Sequence, residues 1–324
     1  MRFVVIGAGA IGGVVGGRLA EHGHDVVLVA RGPHHDAMAA DGLLIRSPDG
    51  DVRVQVPVAA TPQAAGIRDG DVVMLAVKGQ DTSGVLHALA GAPDDTPIAC
   101  LQNGVDNERQ ALRRFHRVYG VPVMCPASHL EPGVVEASSS PIAGIFDIGR
   151  YPDGVDDVAQ DVATALDSSG FSSIARPDVM RFKWAKLLMN VGNALEAACG
   201  TIDRGSTLYK AARAEGRAAM AAAGIDCASS EEDRERRSDL LTMRPIDGAA
   251  RGGGSSWQSL ARGTGSIEAD QLNGEIVLLG RLHGVPTPVN ELLQRTAHDL
   301  ARRGAPPASM TVEQLEAQLP PGTL

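Results

Sequence analysis

Arg2-Phe-Val-Val-Ile6, Gly7-Ala8-Gly9-Ala10-Ile11-Gly12 and Asp25-Val-Val-Leu-Val29 decide the fold. The first and last are short β-branched apolar runs, suited to strands buried on both faces of a parallel sheet. Between them, Gly13 to His22 has helical composition apart from its glycines. The opening therefore reads strand, glycine turn, helix, strand, the setting in which G-x-G-x-x-G becomes informative. Gly7 permits the tight turn, Gly9 lets the backbone approach a pyrophosphate with no Cβ in the way, and Gly12 lets the helix pack close to the strand. The helix N-terminus adds free N–H groups and the positive end of a dipole. Gly7, Gly9, Ala10, Ile11 and Gly12 are thus the expected cofactor-binding run. The competing account is a set of glycines that only allow close packing in another doubly wound fold.

The residue after the second strand bears on the cofactor. Enzymes that prefer NAD usually carry Asp or Glu there for the ribose 2'-hydroxyl, whereas a basic residue accommodates a 2'-phosphate. This chain reads Val29-Ala30-Arg31, with no carboxylate until Asp36. An acid would repel the phosphate, and an arginine clamps it with two parallel hydrogen bonds. NADPH is favoured over NADH, with Arg31 as the main phosphate contact. A solvated loop cation is the bland account of Arg31.

At 324 residues the chain is too long for one typical domain and comfortable for two. Its 44% hydrophobic share is ordinary for a globular protein. The formal charge of -9 argues against a general nucleic-acid binder, without forbidding a local basic pocket. Arg2 and the apolar stretch to Gly17 superficially resemble a secretory signal, but the spaced glycines and the second strand fit a first βαβ unit better. No later stretch offers the roughly 18 apolar residues of a spanning helix. The expectation is a cytoplasmic protein with no membrane contact. Cys100, Cys125, Cys199 and Cys227 are irregularly spaced and form no C-x-x-C pair, so reduced thiols are expected and no metal site.

Further along, Pro33 to Met38 reads as a loop entering a short helix, and Gly42 to Arg53 as a hairpin around Ser47-Pro-Asp-Gly50. Asp71 to Val77 is another buried-strand run and ends in Lys78-Gly79-Gln80. Ligands gather beyond the carboxyl ends of strands in an open parallel sheet, so Lys78 is placed to meet the cofactor. Ser83 to Ala90 suits a helix. Pro97 to Leu101 suits a strand that ends in Gln102-Asn103-Gly104, where an amide could bond a substrate or the nicotinamide. Val118 to Cys125, Val134-Val135 and Ile142 to Ile148 read as strands extending the sheet; His129 between them could face the cleft, although a structural histidine is the simpler account. Asp156 to Leu166 should be a helix and Ser172 to Ala175 a short strand.

From Pro177 the alternation stops and helical periodicity takes over. The expected division is residues 1–176 as an NADP(H)-binding domain and 177–324 as an all-helical substrate domain. Asp226 to Asp239 reads as a solvated charged surface, and Gly252-Gly253-Gly254 as a mobile linker.

Phe182 to Cys199 carries the second constellation. Lys186, Asn190 and Asn193 stand at i, i+4 and i+7, so one helix would present an amine and two amides on one face of an apolar segment. Buried unpaired, such groups would cost several kcal/mol, so they should meet polar partners or a ligand. A partly buried lysine can also protonate an alkoxide forming from a carbonyl. A lysine snorkelling to solvent beside packing amides is the alternative. Ser266 could cap a helix reaching about Leu282, with Glu268 in its first turn, either serving the helix dipole or accepting from a substrate hydroxyl.

Taken together, Gly7-x-Gly9-x-x-Gly12, Arg31, Val77-Lys78, Gln102-Asn103-Gly104, Lys186-x-x-x-Asn190, Ser255-Ser256, Glu268-Ala-Asp270, Asn273-Gly274 and Pro286-Thr-Pro288 resemble the ketopantoate reductase family over nearly the whole chain. The resemblance implies an α/β fold, an N-terminal Rossmann-like doubly wound sheet followed by an all-helical C-terminal domain. It implies NADPH-dependent reduction of 2-dehydropantoate to pantoate. Lys186 would be the general acid, with Asn103 orienting it. Ser256 would help hold the substrate carboxylate, and Asn190 and Glu268 the distal hydroxyl, while Arg31 and Lys78 grip the 2'-phosphate. The family commonly has a second asparagine eight residues after the lysine. Here that position is Ala194, and Asn193, one step earlier, is the substitute substrate contact. That shift, about 100° on a helix, keeps open a different bulky 2-keto acid in a dedicated biosynthetic pathway. A third reading is a non-catalytic NADP(H)-binding redox sensor. The partner in the leading reading is a small-molecule 2-keto acid, and a homodimer is compatible with it.

Overall fold

Both faces of the N-terminal strands are apolar, and both are covered. The structure is a computed structural model and describes residues 1–324 apart from 202, 250, 251 and 264. In chain order its first elements are β1 (Arg2–Ile6), α1 (Ala10–Glu21), β2 (Asp25–Val29), α2 (Gly32–Asp41), β3 (Leu43–Arg46), β4 (Val52–Val54), β5 (Val58–Ala59) and β6 (Asp71–Leu75). A 3-10 turn follows, then α3 (Thr82–Ala88), β7 (Ile98–Cys100), α4 (Asn107–Leu112), β8 (Val118–Gly120), β9 (Ala127–Ser128), β10 (Val134–Ala137), β11 (Ser139–Pro141), β12 (Gly149–Arg150) and α5 (Asp157–Asp167). The remainder is α6 (Val179–Asn190), α7 (Asn193–Cys199), α8 (Thr207–Ala222), α9 (Ser230–Arg237), β13 (Leu241–Met243), α10 (Ser255–Ala261), α11 (Asn273–His283), α12 (Pro288–Arg303) and α13 (Val312–Glu316).

The chain divides into two compact units, Met1–Lys183 with Ser230–Arg251, and Trp184–Ser229 with Gly252–Leu324. The first is Rossmann-like. Its seven-stranded sheet has the order β12-β8-β7-β6-β1-β2-β5, parallel except for β12 against β8. The chain runs outward from β1 through β2 to β5 and then returns to β6 on the other side of β1, which makes β1 the switch point. Phe3 and Val5 face one layer, with α1 and α5, whereas Val4 and Ile6 face the other, with Leu86 of α3 and Ala111 of α4. That alternation is why the strand run is apolar at every position.

A second sheet, β4-β3-β10-β9, lies on the other side of α1. A Cβ on Gly13 would come within 2.6 Å of Val135 of β10, and one on Gly17 within 2.7 Å of Ile45 of β3. The glycines of α1 thus serve its burial between two sheets as well as the turn before it. Val134-Val135 joins this second sheet instead of extending the first. Ile142 to Ile148 forms no strand of its own: Ile145 and Ile148 make single bridges to Met124, Ser172 and Ala175.

The division between units falls inside α6 instead of at Arg176-Pro177, and the chain re-enters the first unit at Ser230. At the root of α6, Lys183 forms a salt bridge with Glu108 of α4; both side chains are buried, and the Lys183 amine also reaches the Cys100 carbonyl at 3.5 Å. The returning segment is largely exposed, as its charges lead one to expect, but it is also anchored to the first unit. Helix α9 carries acids in its first turn and arginines in its last, complementing its dipole. From it Arg236 clasps Asp147 with two bonds of 2.8 and 2.6 Å, and Asp147 is 2% exposed. Strand β13 then pairs with β11, so the second half of the sequence is not helical throughout.

The second unit is helical among its described elements. Leu187, Leu188 and Leu195 are buried with Leu208, Ile276, Val289 and Leu293, each such side chain worth roughly 1.5–3 kcal/mol of burial. Gly284 in the left-handed region ends α11, with the Val285 N–H returning to the Gly280 carbonyl, and Pro288 opens α12. The triglycine before α10 is packed. A Cβ on Gly252 or Gly253 would fall 2.8 or 2.5 Å from the Trp257 ring, and the Gly254 N–H donates to Glu196 at 3.2 Å.

Candidate active site

Four parallel strands of the first unit end in line. Ile6 is registered with both Val29 and Leu75, and Leu75 with Cys100. The residues beyond those ends are therefore neighbours along one edge: Asn103 after β7, Lys78 after β6, the glycine turn after β1 and Arg31 after β2. The structure brings together in this way every sequence-derived cofactor residue, Gly7, Gly9, Ala10, Ile11, Gly12, Arg31, Lys78 and Asn103. The turn is built as its spacing requires. Gly7 has φ +97°, and a Cβ there would lie 2.8 Å from the Val77 nitrogen. A Cβ on Gly12 would collide with the Gly7 carbonyl oxygen, whereas one on Gly9 would meet no protein atom within 4 Å. With Ala10 opening α1, this is a geometry that suits a pyrophosphate. Arg31 is exposed and precedes α2 in extended conformation.

Three residues hold the neighbouring loops: Gln102, already part of the strand-end motif, and Thr82 and Asn107, which sequence reasoning missed. Gln102, Thr82 and Asn107 are at most 3% exposed. Gln102 Nε2 donates to the Val77 carbonyl at 3.0 Å and to Thr82 Oγ1 at 2.8 Å. Thr82 Oγ1 donates to Asn107 Oδ1 at 2.8 Å, and Asn107 Nδ2 donates to the Asn103 carbonyl at 2.9 Å. The peptide before Lys78 and the carbonyl of Asn103 are thus ends of one buried relay. Gln102 spends its amide N–H groups there, next to Asn103 in the chain. Polar side chains at the starts of α3 and α4, beside two strand ends, are the signal that could have found Thr82 and Asn107.

His34 of α2 is a further missed residue. The Gly133 N–H donates to its Nδ1 at 2.9 Å, so the ring proton sits on Nε2 and is donated to the Ala8 carbonyl at 2.7 Å. Burial, and then the neighbouring His129, hold His34 below the usual histidine range. The two rings lie 4.1 Å apart, and His129 Nδ1 is 3.0 Å from the Val134 carbonyl.

In the second unit Lys186 is half-buried on α6, and Asn190, its last residue, is 5% exposed. The expected single face does not continue. The helix breaks at Val191-Gly192, and Asn193 opens α7, so i, i+4, i+7 on one cylinder gives way to two helices. Ser256 is buried in the first turn of α10, which packs on α7. Glu268 is 4% exposed but lies in turns ahead of α11, which begins only at Asn273; the first-turn role expected for it does not hold. Burial keeps the nearby Arg262 guanidinium below its ordinary range, and the Glu268 carboxylate pulls it back up. Arg262 was not anticipated from sequence.

Among the described residues, no group of three or more His, Cys, Asp or Glu side chains is arranged to hold a metal ion, and no helix is long and apolar enough to cross a membrane. The four cysteines are free thiols.

Comparison with known proteins gives this geometry a lineage. The family model described as ketopantoate reductase PanE/ApbA matches residues 3–153, and that of its C-terminal part matches residues 178–301. The 2-dehydropantoate 2-reductase of Pyrococcus horikoshii is 30% identical, covering 90% of this chain and 95% of its own; that of Halobacterium salinarum is 31% identical, covering 93% and 98%. A PanE/ApbA family ketopantoate reductase from Ralstonia eutropha superimposes with TM-score 0.78 at 26% identity, over 94% of this chain and 99% of the other. D-mandelate dehydrogenase with NADH and anilino(oxo)acetate shares the fold at TM-score 0.79 and 22% identity, over 94% and 99%. Matched in both halves and aligned with such relatives almost end to end, the protein belongs to the ketopantoate reductase family of oxidoreductases.

Proposed function

We propose that the protein is a cytoplasmic NADPH-dependent reductase that converts 2-dehydropantoate to pantoate. The observation that carries this reading is the line of Asn103, Lys78, the glycine turn and Arg31 along one sheet edge, with Arg31 following β2 and no carboxylate in the sequence from there until Asp36. Arg31 and Lys78 hold the 2'-phosphate, and the backbone of Gly7 to Gly12 and the start of α1 hold the pyrophosphate. When bound, the reduced nicotinamide supplies a hydride to the C2 carbonyl. Lys186 donates the proton to the C2 oxygen, and Asn103 orients that amine. Ser256 helps hold the substrate carboxylate, and Asn190, Asn193 and Glu268 meet the distal hydroxyl. Residues 1–176 serve the coenzyme and 177–324 the substrate, except that Arg236 and β13 belong with the coenzyme unit.

One observation favours a second reading with the same chemistry. Asn193 opens a separate helix and Ala194 takes the usual asparagine position, which suits a different bulky 2-keto acid.

The test is NADPH oxidation with ketopantoate and a panel of 2-keto acids lacking the 4-hydroxyl, on the wild type and on Lys186→Ala. The variant should keep its NADPH affinity and lose kcat by about 10² to 10⁴, the usual contribution of a positioned acid. Undiminished turnover removes Lys186 from the chemistry. A tenfold or greater preference for the acids without the hydroxyl moves the assignment to the second reading, and no turnover of any acid leaves a nucleotide-binding sensor.

A further inference from the structure

The Asn273-Gly274 motif has no part in the chemistry above, yet Asn273 is 1% exposed in the second unit. It is the first residue of α11, and both of its amide N–H groups are used. One donates to the Val191 carbonyl at 2.9 Å, the other to Asn290 Oδ1 at 3.0 Å. Asn290, also buried, passes the pattern on, with Nδ2 donating to the Ala212 carbonyl at 2.9 Å and to Glu215 Oε2 at 2.7 Å. Glu215 accepts in addition the backbone N–H groups of Val289 and Asn290, at 2.8 and 2.9 Å. Those are first-turn donors of α12, which have no partner within their own helix, and a carboxylate satisfies both them and the helix dipole.

The relay therefore links a carboxylate fixed at the start of α12, through two amides, to the Val191 carbonyl, with a side branch from Asn290 to the Ala212 carbonyl. The carbonyl at its end belongs to Val191, in the break between α6 and α7. Asn190 lies on one side of that break and Asn193 two residues beyond it. A break made only by apolar packing and Gly192 would leave the angle between the two helices soft, whereas a directional bond from a fixed amide sets where the peptide plane points. The amide orientation is itself determined, since reversing it would turn Asn273 Oδ1 toward two acceptors.

We propose that Asn273 is a positioning residue for substrate selection: through the Val191 carbonyl it sets the angle at which Asn190 and Asn193 are presented to the distal hydroxyl of the keto acid. The proposal rests on the reductase reading above. Misplacement of a binding group by about 1 Å costs on the order of 10²-fold, so loss of the Val191 bond should appear as lost discrimination.

The experiment compares wild type, Asn273→Ala, Asn273→Asp and Glu215→Gln on ketopantoate and on trimethylpyruvate, which lacks only the 4-hydroxyl. For Asn273→Ala the preference in kcat/KM for ketopantoate should fall by about tenfold or more, through KM for ketopantoate, with kcat for trimethylpyruvate and NADPH affinity little changed. Asn273→Asp, which removes both donors and faces two acceptors, should lose at least as much. Glu215→Gln loosens the far end and should give a smaller fall in the same direction. An equal fall on both acids, or an unchanged preference in a folded variant, overturns the proposal. Should the Asn273 variants fail to fold, an unchanged preference in Glu215→Gln overturns it alone. A wild type with no preference for ketopantoate sinks the functional reading and this proposal with it, whereas a discriminating wild type with equally discriminating variants sinks only the proposal.

Discussion

Replacing Lys183 by methionine isolates the buried charge at the root of α6. In the native protein its amine meets Glu108, whose side chain has no exposure and whose second oxygen, Oε2, has no hydrogen-bond partner. Burial pushes the Glu108 carboxyl above the usual range, and Lys183 is what draws it back. In Lys183→Met the carboxyl loses that counter-charge and protonates in the folded state. Its folded pKa then lies above the unfolded value of about 4.3, so folding favours the protonated form. The variant should stand close to wild type near pH 4 and lose about 1.4 kcal/mol per pH unit above that until the folded value is passed. The loss should level off at about 3–5 kcal/mol, the cost of breaking a buried pair. For a folding unit of 150–250 residues that is about 6–20 °C in Tm. Glu108→Gln leaves the buried ammonium without its counter-charge and should cost a comparable amount. Replacing both, as Glu108→Leu with Lys183→Met, should recover most of the stability, since apolar groups often substitute for a buried pair without loss. Thermal or urea unfolding between about pH 5 and 9 reads all three. A loss in Lys183→Met that is equal at both ends of that range would refute the electrostatic argument and assign the effect to the lysine stem, which packs against Gly120.

Two glycines of the turn should separate fold from binding. Gly12→Ala drives its Cβ into the Gly7 carbonyl and to 2.9 Å from Ala76 Cβ, and should cost about 1–3 kcal/mol of stability as well as coenzyme binding. Gly9→Ala meets no protein atom within 4 Å and should leave Tm unchanged while weakening NADPH by about tenfold or more; full affinity in that variant removes the pyrophosphate from Gly9. Arg31→Ala should weaken NADPH more than NADH in direct titrations, and equal weakening would show that Arg31 does not meet the 2'-phosphate. Asp147→Asn leaves Arg236 without its buried partner and should lower stability by about 3–5 kcal/mol, whereas Asp299→Asn, from exposed pairs with Arg302 and Arg303, should cost under about 1 kcal/mol. Similar Tm values for the two would remove the Asp147 cluster as the anchor of the returning segment.

What was legible in the chain was what is written contiguously. The strand, glycine turn and helix of residues 2–29 can be read because each neighbour constrains the next within a few residues. The Ser47-Pro-Asp-Gly50 hairpin joins β3 to β4 for the same reason. Long-range pairing was not legible. Nothing local tells Val134-Val135 to join β3 in a second sheet, and the glycines of α1, which make room for that sheet, carried two meanings under one motif. The 226–239 stretch looked like a solvated face because its charges balance locally. What pulls it back to the first unit is Asp147, distant in sequence. Likewise a 3.6-residue period read through Gly192 misses the break there, where the Val191 carbonyl accepts from Asn273 of another helix.

The residues of the two buried relays share one chemical character. Gln102, Thr82 and Asn107 in the first unit, and Asn273 and Asn290 in the second, are neutral amides and a hydroxyl, buried almost completely, and the donors of Gln102, Asn107 and Asn273 reach the backbone carbonyls of Val77, Asn103 and Val191. Apolar side chains in those places would bury comparable area and spare the desolvation of the amides, which is the cheaper way to fill a core. What they could not do is fix the direction of a peptide plane, because dispersion contacts fall off alike on every side whereas a hydrogen bond weakens steeply off its axis. A chain selected for stability alone has little use for that directionality. If Asn103, Asn190 and Asn193 act as proposed, that directionality is needed at the strand ends after β6 and β7 and at the break between α6 and α7, where Gln102, Asn107 and Asn273 place their bonds.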